Sequence, residues 1–153
     1  MSRAFVKEVD ETVEELPERP ISPHPNFVTA EGLALIEATL ARLQQEHAAA
    51  QAARDRAALG KLARDLRYWT SRRTTAQVIA PASNPTEVQF GSTVTILRDD
   101  GRRQAYRIVG EDEADPSRGT ISYVSPVARA LTGKRPGDVV RAGTSDAEVI
   151  EIV

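Results

Sequence analysis

The chain has 153 residues, a formal net charge of −2 and no cysteine, which suits one or two small modules and excludes disulfides and thiolate chemistry. Only two histidines are present, neither of them beside a cluster of carboxylates, so we expect no metal or other cofactor of the protein's own. No apolar run approaches the ~20 residues that cross a bilayer, and the first residues lack a signal-peptide core. We therefore expect a cytoplasmic protein with no membrane partner.

Residues 1–27 are predicted to form a flexible acidic tail. They contain six acidic side chains against three basic ones, and the four prolines at positions 17 to 25 do not allow a regular helix there. A short helix over residues 4–16 is compatible with the sequence, because four apolar side chains fall near one face. These are Val6, Val9, Val13 and Leu16.

Residues 28–79 are predicted to form an antiparallel coiled-coil hairpin. Two stretches repeat seam residues at alternating steps of three and four, which gives each helix one narrow contact stripe. The stripes are Leu33, Ile36, Leu40, Leu43, His47, Ala50 and Leu59, Leu62, Leu66, Trp69, Arg73, Ala76. Folding the chain between Arg54 and Asp55 places every residue of one stripe opposite a residue of the other. Thr29 and Asp55 stand where they can cap the two helices, and arms of about 35 Å at ~1.5 Å per residue should project from a small domain.

Residues 80–153 are predicted to form an antiparallel sheet with one short helix. After a proline-rich linker the apolar pattern changes from period 3.6 to period 2, as in half-buried strands. A hairpin turn is expected at residues 98–102, where Gly101 can adopt a positive φ. Ser125 and Pro126 are predicted to start the short helix. The two parts together define an α+β fold.

The acidic loop at residues 111–115 is predicted to be a docking surface for a basic partner. Its carboxylates could hold a divalent cation, but the spacing of a calcium loop is absent, whereas complementary charge speeds association with a Lys/Arg-rich surface. The hairpin carries the opposite charge, and the residues expected near nucleic acid are Arg54, Arg56, Lys61 and Arg64. Because there is no Ser/His/Asp set and no glycine-rich phosphate loop, the sequence indicates a binding module rather than a free-standing enzyme.

Several motifs in fixed order resemble one known family. They are AQVI at residues 76–79, FGSTVTI at 90–96, YRIVGEDEAD at 106–115, IS at 121–122, SPVARAL at 125–131 and GK at 133–134. Residues 77–153 thus resemble the C-terminal domain of bacterial GreA/GreB transcript-cleavage factors. That family also has an N-terminal antiparallel coiled coil, in agreement with the hairpin predicted here. The resemblance implies an FKBP-like fold for residues 80–153.

The resemblance also implies bacterial RNA polymerase as the partner. The family's C-terminal domain docks at the rim of the polymerase secondary channel, and its coiled coil enters the channel toward the active site. The residues that match the family's polymerase contact are Asp112, Glu113, Asp115, Ser125 and Pro126. The RNA 3′ end would be approached only indirectly, and we expect a monomer.

The tip of the hairpin departs from the family pattern. Cleavage factors carry an Asp and, three residues on, a Glu, which help hold a second Mg²⁺ and a water at the polymerase active centre. A hydrated Mg²⁺ gains little from a single carboxylate. Asp55 matches the first acid and is the candidate catalytic residue, but Ala58 occupies the second position, and Arg54 and Arg56 flank Asp55.

Three functions stay open at this stage. The leading one is a polymerase-binding elongation regulator, an accessory factor that would either stimulate cleavage through the polymerase's Mg²⁺ or occupy the channel without cleaving. The hairpin is predicted to be shorter than in typical members of the family. A short hairpin resembles that of the relative named as a regulator of nucleoside diphosphate kinase. The second is a module that binds DNA or RNA directly, with affinity that falls steeply with salt. The third, a prolyl isomerase, is disfavoured because a fold alone does not carry function.

Overall fold

The computed structural model describes residues 16–153. The predicted helix over residues 4–16 and most of the predicted acidic tail lie outside the described residues. None of the helices in the described range is long and apolar enough to cross a membrane.

The predicted helical hairpin is present. Helix α1 runs over Ala30–Ala53 and helix α2 over Arg56–Thr75. The hydroxyl of Thr29 accepts a hydrogen bond from the Gly32 N–H at 3.0 Å, and the carboxylate of Asp55 accepts one from the Ala58 N–H at 3.1 Å. Both predicted N-caps are confirmed, since each satisfies a backbone donor that the first helical turn leaves unpaired.

The contact stripe of α1 is largely confirmed, whereas that of α2 needs one correction. Ile36, Leu40 and Leu43 of the predicted α1 stripe are buried. On α2, Arg73 was predicted to lie on the seam, but its side chain is 61% exposed, and the adjacent Arg72 is the one that is buried. The physical reason is that Arg72 points to acidic groups outside the hairpin.

Short parallel strands join the two ends of the hairpin. Strand β1, Phe27–Val28, pairs with strand β2, Gln77–Val78, directly after α2. Val28 also packs with Ile36 and Leu40 into a small apolar cluster, against which Trp69 rests. The base of the hairpin is therefore held both by backbone hydrogen bonds and by apolar burial.

The C-terminal part is a five-stranded sheet with one short helix. The strands are β3 Thr93–Arg98, β4 Arg103–Val109, β5 Thr120–Ser122, β6 Val139–Ala142 and β7 Ser145–Ile152, with helix α3 at Pro126–Leu131. Their order in the sheet is β5-β4-β3-β7-β6. The core beneath α3 consists of alternate strand residues such as Val94, Ile96 and Ile108, which are fully buried.

The predicted α+β class, with a helical hairpin and a mainly antiparallel sheet, is confirmed. One pairing differs from the prediction of an all-antiparallel sheet, because β5 runs parallel to β4. These two strands are joined by the acidic loop and a single 3₁₀ turn at Pro116–Arg118 rather than by a tight hairpin. The connection returns the chain to the level of Arg107, so β5 runs in the same direction as the last three residues of β4.

Candidate functional site

A buried arginine joins the hairpin to the acidic loop. The Arg72 side chain is 2% exposed, and its Nε donates a hydrogen bond to Asp112 Oδ2 at 2.5 Å. Its Nη2 donates to Asn26 Oδ1 at 2.8 Å and lies 3.6 Å from Glu111 Oε2. Removing a guanidinium from water is costly unless it is paired and hydrogen-bonded. These contacts supply both conditions and fix the base of α2 to the loop.

Asp112 is held from a second side by a tyrosine. The Tyr68 hydroxyl, one helical turn before Arg72, donates to Asp112 Oδ1. Burial, and then the hydrogen bond to the negative carboxylate, raises the pKa of Tyr68 to about 12. The hydroxyl therefore remains a donor at neutral pH, and each oxygen of the Asp112 carboxylate accepts a hydrogen bond from a residue of α2.

Glu113 makes the matching connection to α1. Its carboxylate accepts the Thr29 N–H at 3.0 Å and also the Thr29 hydroxyl, while the Gly110 N–H approaches Oε2 at 3.3 Å. A Cβ at Gly32 would stand 1.9 Å from Glu113 Oε2, so a larger residue at this position of α1 would displace the carboxylate. The cap of α1 and the acidic loop thus share one hydrogen-bond network.

The other three predicted contact residues lie on the surface of the sheet domain, and two of them are helix caps. Asp115 Oδ1 accepts the Ser117 N–H at 3.1 Å at the start of the 3₁₀ turn. The Ser125 hydroxyl accepts the Ala128 N–H at 3.3 Å at the start of α3, and Pro126, the first residue of that helix, is exposed.

A cluster of three aromatic rings joins the segment before α1 to the sheet domain. The rings of Phe27, Phe90 and Tyr123 have centroids 5.4 to 6.1 Å apart in tilted or edge-to-face arrangements. The Tyr123 hydroxyl donates to the carbonyl of Pro25. The segment that enters α1 is therefore packed onto the loops of the sheet domain, which brings the acidic loop, the Ser-Pro turn and the hairpin base together.

The tip of the hairpin carries an exposed carboxylate between exposed arginines. Arg54 ends α1 in the left-handed region with φ of 54°, and Asp55 follows as the cap of α2. Ala58 occupies the position at which cleavage factors carry their second acid, and it contributes only its backbone N–H to the Asp55 cap. Among residues 16–153, no group of three or more His, Cys, Asp or Glu side chains is placed to hold a metal ion.

The four basic residues expected near nucleic acid do not share one environment. Arg54, Arg56 and Lys61 are exposed on the distal half of the hairpin. Arg64 is half-buried, and its Nε lies 3.5 Å from Asp65 Oδ1 on the same helix. Three of the four basic residues therefore lie on the surface near the tip. Arg64 is partly covered and lies beside Asp65 of the same helix.

Sequence reasoning missed the buried charged residue of this site, Arg72. Its main partners are 40 and 46 positions away in the chain, so no local pattern points to them. The only available signal was the charge of the acidic loop, which the sequence analysis assigned to an external partner.

The structure thus defines a two-part α+β protein, in which a long helical finger is fixed at its base to a small sheet domain. Residues 82–153 match the family model "Transcription elongation factor, GreA/GreB, C-term". The C-terminal domain of this chain, residues 82–153, therefore belongs to the GreA/GreB family.

Individual relatives agree with the family match. Transcription elongation factor GreB of Neisseria meningitidis serogroup B is 44% identical over 93 residues, covering 59% of this chain and 57% of the relative. Transcription elongation factor GreA of Alkalilimnicola ehrlichii is 45% identical over 84 residues, covering 50% and 53%. The chain therefore spans about half the length of the curated relatives it matches.

Solved structures are similar only at low identity. GreA factor homolog 1 of Thermus thermophilus superposes with a TM-score of 0.42 at 19% identity, covering 85% of this chain and 99% of the other. GreA/GreB from Nitrosomonas europaea has a TM-score of 0.41 at 21% identity, covering 83% and 98%.

Proposed function

We propose that this protein is a transcription elongation regulator that binds bacterial RNA polymerase through its sheet domain and places the hairpin in the secondary channel. The observation that carries the proposal is the GreA/GreB C-terminal domain joined through buried Arg72 to a projecting finger. A finger that has to reach a distant active centre needs a fixed base, because a small change of angle there displaces the tip by many ångströms. At ~1.5 Å per residue, the 24 residues of α1 extend about 36 Å.

The contact with the polymerase divides between two kinds of residue. Asp115, Ser125 and Pro126 lie at the surface of the sheet domain and are proposed to touch the channel rim. Asp112 and Glu113 are proposed to act mainly by holding the hairpin in position, because their carboxylates already accept hydrogen bonds from Tyr68, Arg72 and Thr29. The protein would act as a cytoplasmic monomer, and any RNA cleavage would be carried out by the polymerase.

The tip is proposed to approach the RNA 3′ end at the polymerase active centre. There Asp55 would offer one carboxylate to the polymerase's Mg²⁺, while the neighbouring Arg54 opposes a cation and favours phosphate. One carboxylate with basic neighbours supports occupancy of the channel better than strong cleavage. The proposal therefore includes both outcomes, and the experiment separates them.

The test uses RNA polymerase halted in a backtracked complex with labelled RNA. The wild-type protein is compared with Asp55→Asn, which keeps an oxygen acceptor for the helix cap and removes only the charge. Release of short RNA that Asp55→Asn abolishes would identify a cleavage factor. Binding without release would identify a channel-occupying regulator. Absence of binding to the polymerase would overturn the proposal.

A second candidate function is direct binding of nucleic acid by the hairpin. It is favoured by the exposure of Arg54 and Lys61 on the distal half. Binding to naked RNA or DNA that weakens steeply with salt, and that is lost in the Lys61→Glu variant, would support this function. Equal affinity of both proteins for naked nucleic acid would exclude it.

A further inference from the structure

The segment before β1, residues 17–26, forms a strap between the sheet domain and the side of α2. Its C-terminal end is attached to both parts of the molecule. The Pro25 carbonyl accepts the Tyr123 hydroxyl, and the Asn26 side-chain amide donates to the Arg72 carbonyl at 2.7 Å. The other end of the strap lies further along the hairpin, toward the tip.

Arg19 connects this other end of the strap to three residues of α2. Its guanidinium carbon lies 3.9 Å from the centroid of the Tyr68 ring and 5.8 Å from that of a Trp69 ring, and its Nη1 lies 3.4 Å from Asp65 Oδ1. A cation over an aromatic face is attracted by the quadrupole of the ring. Both charged side chains are partly shielded from water, so salt screens this pair less than a fully exposed one. Beside it, the Arg67 Nε donates to Glu18 at 2.8 Å.

Through Tyr68 the strap also acts on the acidic loop. The Tyr68 hydroxyl donates to one oxygen of Asp112, and Arg72 donates to the other. Because Arg19 covers a face of the Tyr68 ring, it restricts the ring to the orientation in which the hydroxyl reaches Asp112. Arg19 thus supports the connection between the hairpin and the sheet domain through another residue.

The composition and the path of the strap suit it to resist tilting of the hairpin. Proline occupies four of its ten positions and fixes φ there, so the strap loses fewer conformations when it is ordered against α2. Its attachments at Asp65 and Arg72 are about 10 Å apart along the axis of α2 at ~1.5 Å per residue. One of them therefore lies away from the joint at the base. A tilt of about 10° would displace the tip by ~5 Å over a finger of roughly 30 Å.

We propose that the strap sets the angle of the hairpin relative to the sheet domain, with Arg19 as its positioning residue. The consequence for transcription rests on the proposed function, because the angle matters there only if the tip has to reach the polymerase active centre. The angle itself does not depend on that function. It is therefore measured on the free protein, and its consequence is measured on the polymerase.

The angle is measured as the distance between two spin labels in the full chain, which has no natural cysteine. Gln51→Cys near the tip and Glu148→Cys on β7 place the labels at exposed positions. In this labelled protein, Glu18→Gln and Arg19→Gln together remove the charged contacts of the strap with α2. The double variant is expected to widen the distribution of label distances about twofold, since the tip then tilts by several ångströms.

The matched control is Arg42→Gln, which removes an exposed arginine that pairs with Glu46 within α1 at 2.9 Å. It should keep the distance distribution of the wild-type protein. Arg19→Lys should lie between the wild-type protein and the double variant, because an ammonium also binds an aromatic face but lacks the planar stacking of arginine. An unchanged distribution in the double variant, or equal widening in the control, would overturn the proposal. Widening with a loss of helical circular dichroism would overturn it as well, because the strap would then be needed for folding of the hairpin.

The consequence is measured on RNA polymerase halted in a backtracked complex, with the unlabelled double variant at saturating concentration. Its affinity for the polymerase should stay within about twofold of wild type, because Asp115, Ser125 and Pro126 are unchanged. Its effect on RNA release or on elongation should fall on the order of tenfold, since a displaced tip no longer reaches the productive position. A full effect despite widened label distances would overturn the role of the strap in transcription. Absence of polymerase binding by the wild-type protein would overturn the proposed function alone, and the label distances would still decide whether the strap sets the angle.

Discussion

The base and the tip of the hairpin are held by different kinds of interaction. At the base, Arg72, Asn26 and Thr29 are buried and bonded to residues far away in the sequence, and Ile36 is fully buried among apolar neighbours. At the tip, Asp55 is exposed, and in the described part of the chain its side chain bonds only within its own helix turn, to the Ala58 N–H. Within residues 16–153, the base is therefore the end of the finger at which buried polar groups bond to residues distant in the sequence.

This difference indicates that the base positions the hairpin, whereas the tip is free to contact a target. A buried ion pair tolerates little substitution, because the loss of one partner leaves the other charge buried and unpaired. An exposed cap can change its chemistry at a cost of about 1 kcal/mol. The base can thus keep one geometry while the chemistry of the tip varies, which agrees with a family motif in the sheet domain combined with an altered tip.

The largest expected effect concerns the base. Arg72→Met should lower the free energy of unfolding by roughly 3–5 kcal/mol, because it leaves Asp112, with a side chain 9% exposed, without its cation. Urea unfolding followed by tryptophan fluorescence measures this loss. Trp69 is the only tryptophan in the chain and packs on the base cluster, so its signal reports on the hairpin.

The neighbouring arginine supplies the control for this prediction. Arg73 lies 3.8 Å from Glu37 with both side chains more than half exposed, and Arg73→Met should change stability by less than about 1 kcal/mol. The double variant Arg72→Met with Asp112→Leu should recover part of the loss, since it removes both buried charges. Similar small losses in Arg72→Met and Arg73→Met would contradict the role given to the base.

The same pair of arginines shows how far the sequence could predict this structure. The helices, their caps and the turn at Arg54 and Asp55 were predictable, because heptad spacing and capping are local properties of the chain. The heptad spacing also placed Arg73 on the seam between the helices. Such a periodicity identifies only one contact stripe on each helix, and α2 has a second contact. The second contact of α2, with an acidic loop 40 positions away, depends on tertiary packing and leaves no periodic signal.

The segments of the candidate site could be picked out from the sequence, whereas their side-chain contacts could not. The acidic loop and the Ser-Pro turn were recognised as distinctive, and the structure brings them together at the base of the hairpin. The direction in which the carboxylates of Asp112 and Glu113 point was not predictable from composition. An acidic loop has the same sequence pattern whether its side chains face a partner or face the chain's own buried arginine.

A smaller effect is expected at the tip. Asp55→Ala should lower the free energy of unfolding by about 1 kcal/mol, because it removes the acceptor for the Ala58 N–H at the start of α2. Asp55→Asn should leave stability nearly unchanged, since the amide oxygen is an equivalent cap. Urea unfolding of both variants measures the difference. A loss as large as that of Arg72→Met would show that the tip, too, is held by more than its cap.

The smallest effect is expected at Arg54, and its sign is the opposite. Arg54 has φ of 54°, where its N–H bonds to the carbonyls of Ala50 and Gln51, and a side chain in this region is strained whereas glycine is not. Arg54→Gly should therefore raise the free energy of unfolding by up to about 1 kcal/mol, after the extra entropy of glycine in the unfolded chain is subtracted. Urea unfolding measures the gain, and Lys61→Gly, at an exposed position inside α2, is the control that should lose stability. A more stable Arg54→Gly protein that works less well on RNA polymerase would mean that the arginine is kept at the tip for contact with a target rather than for the fold.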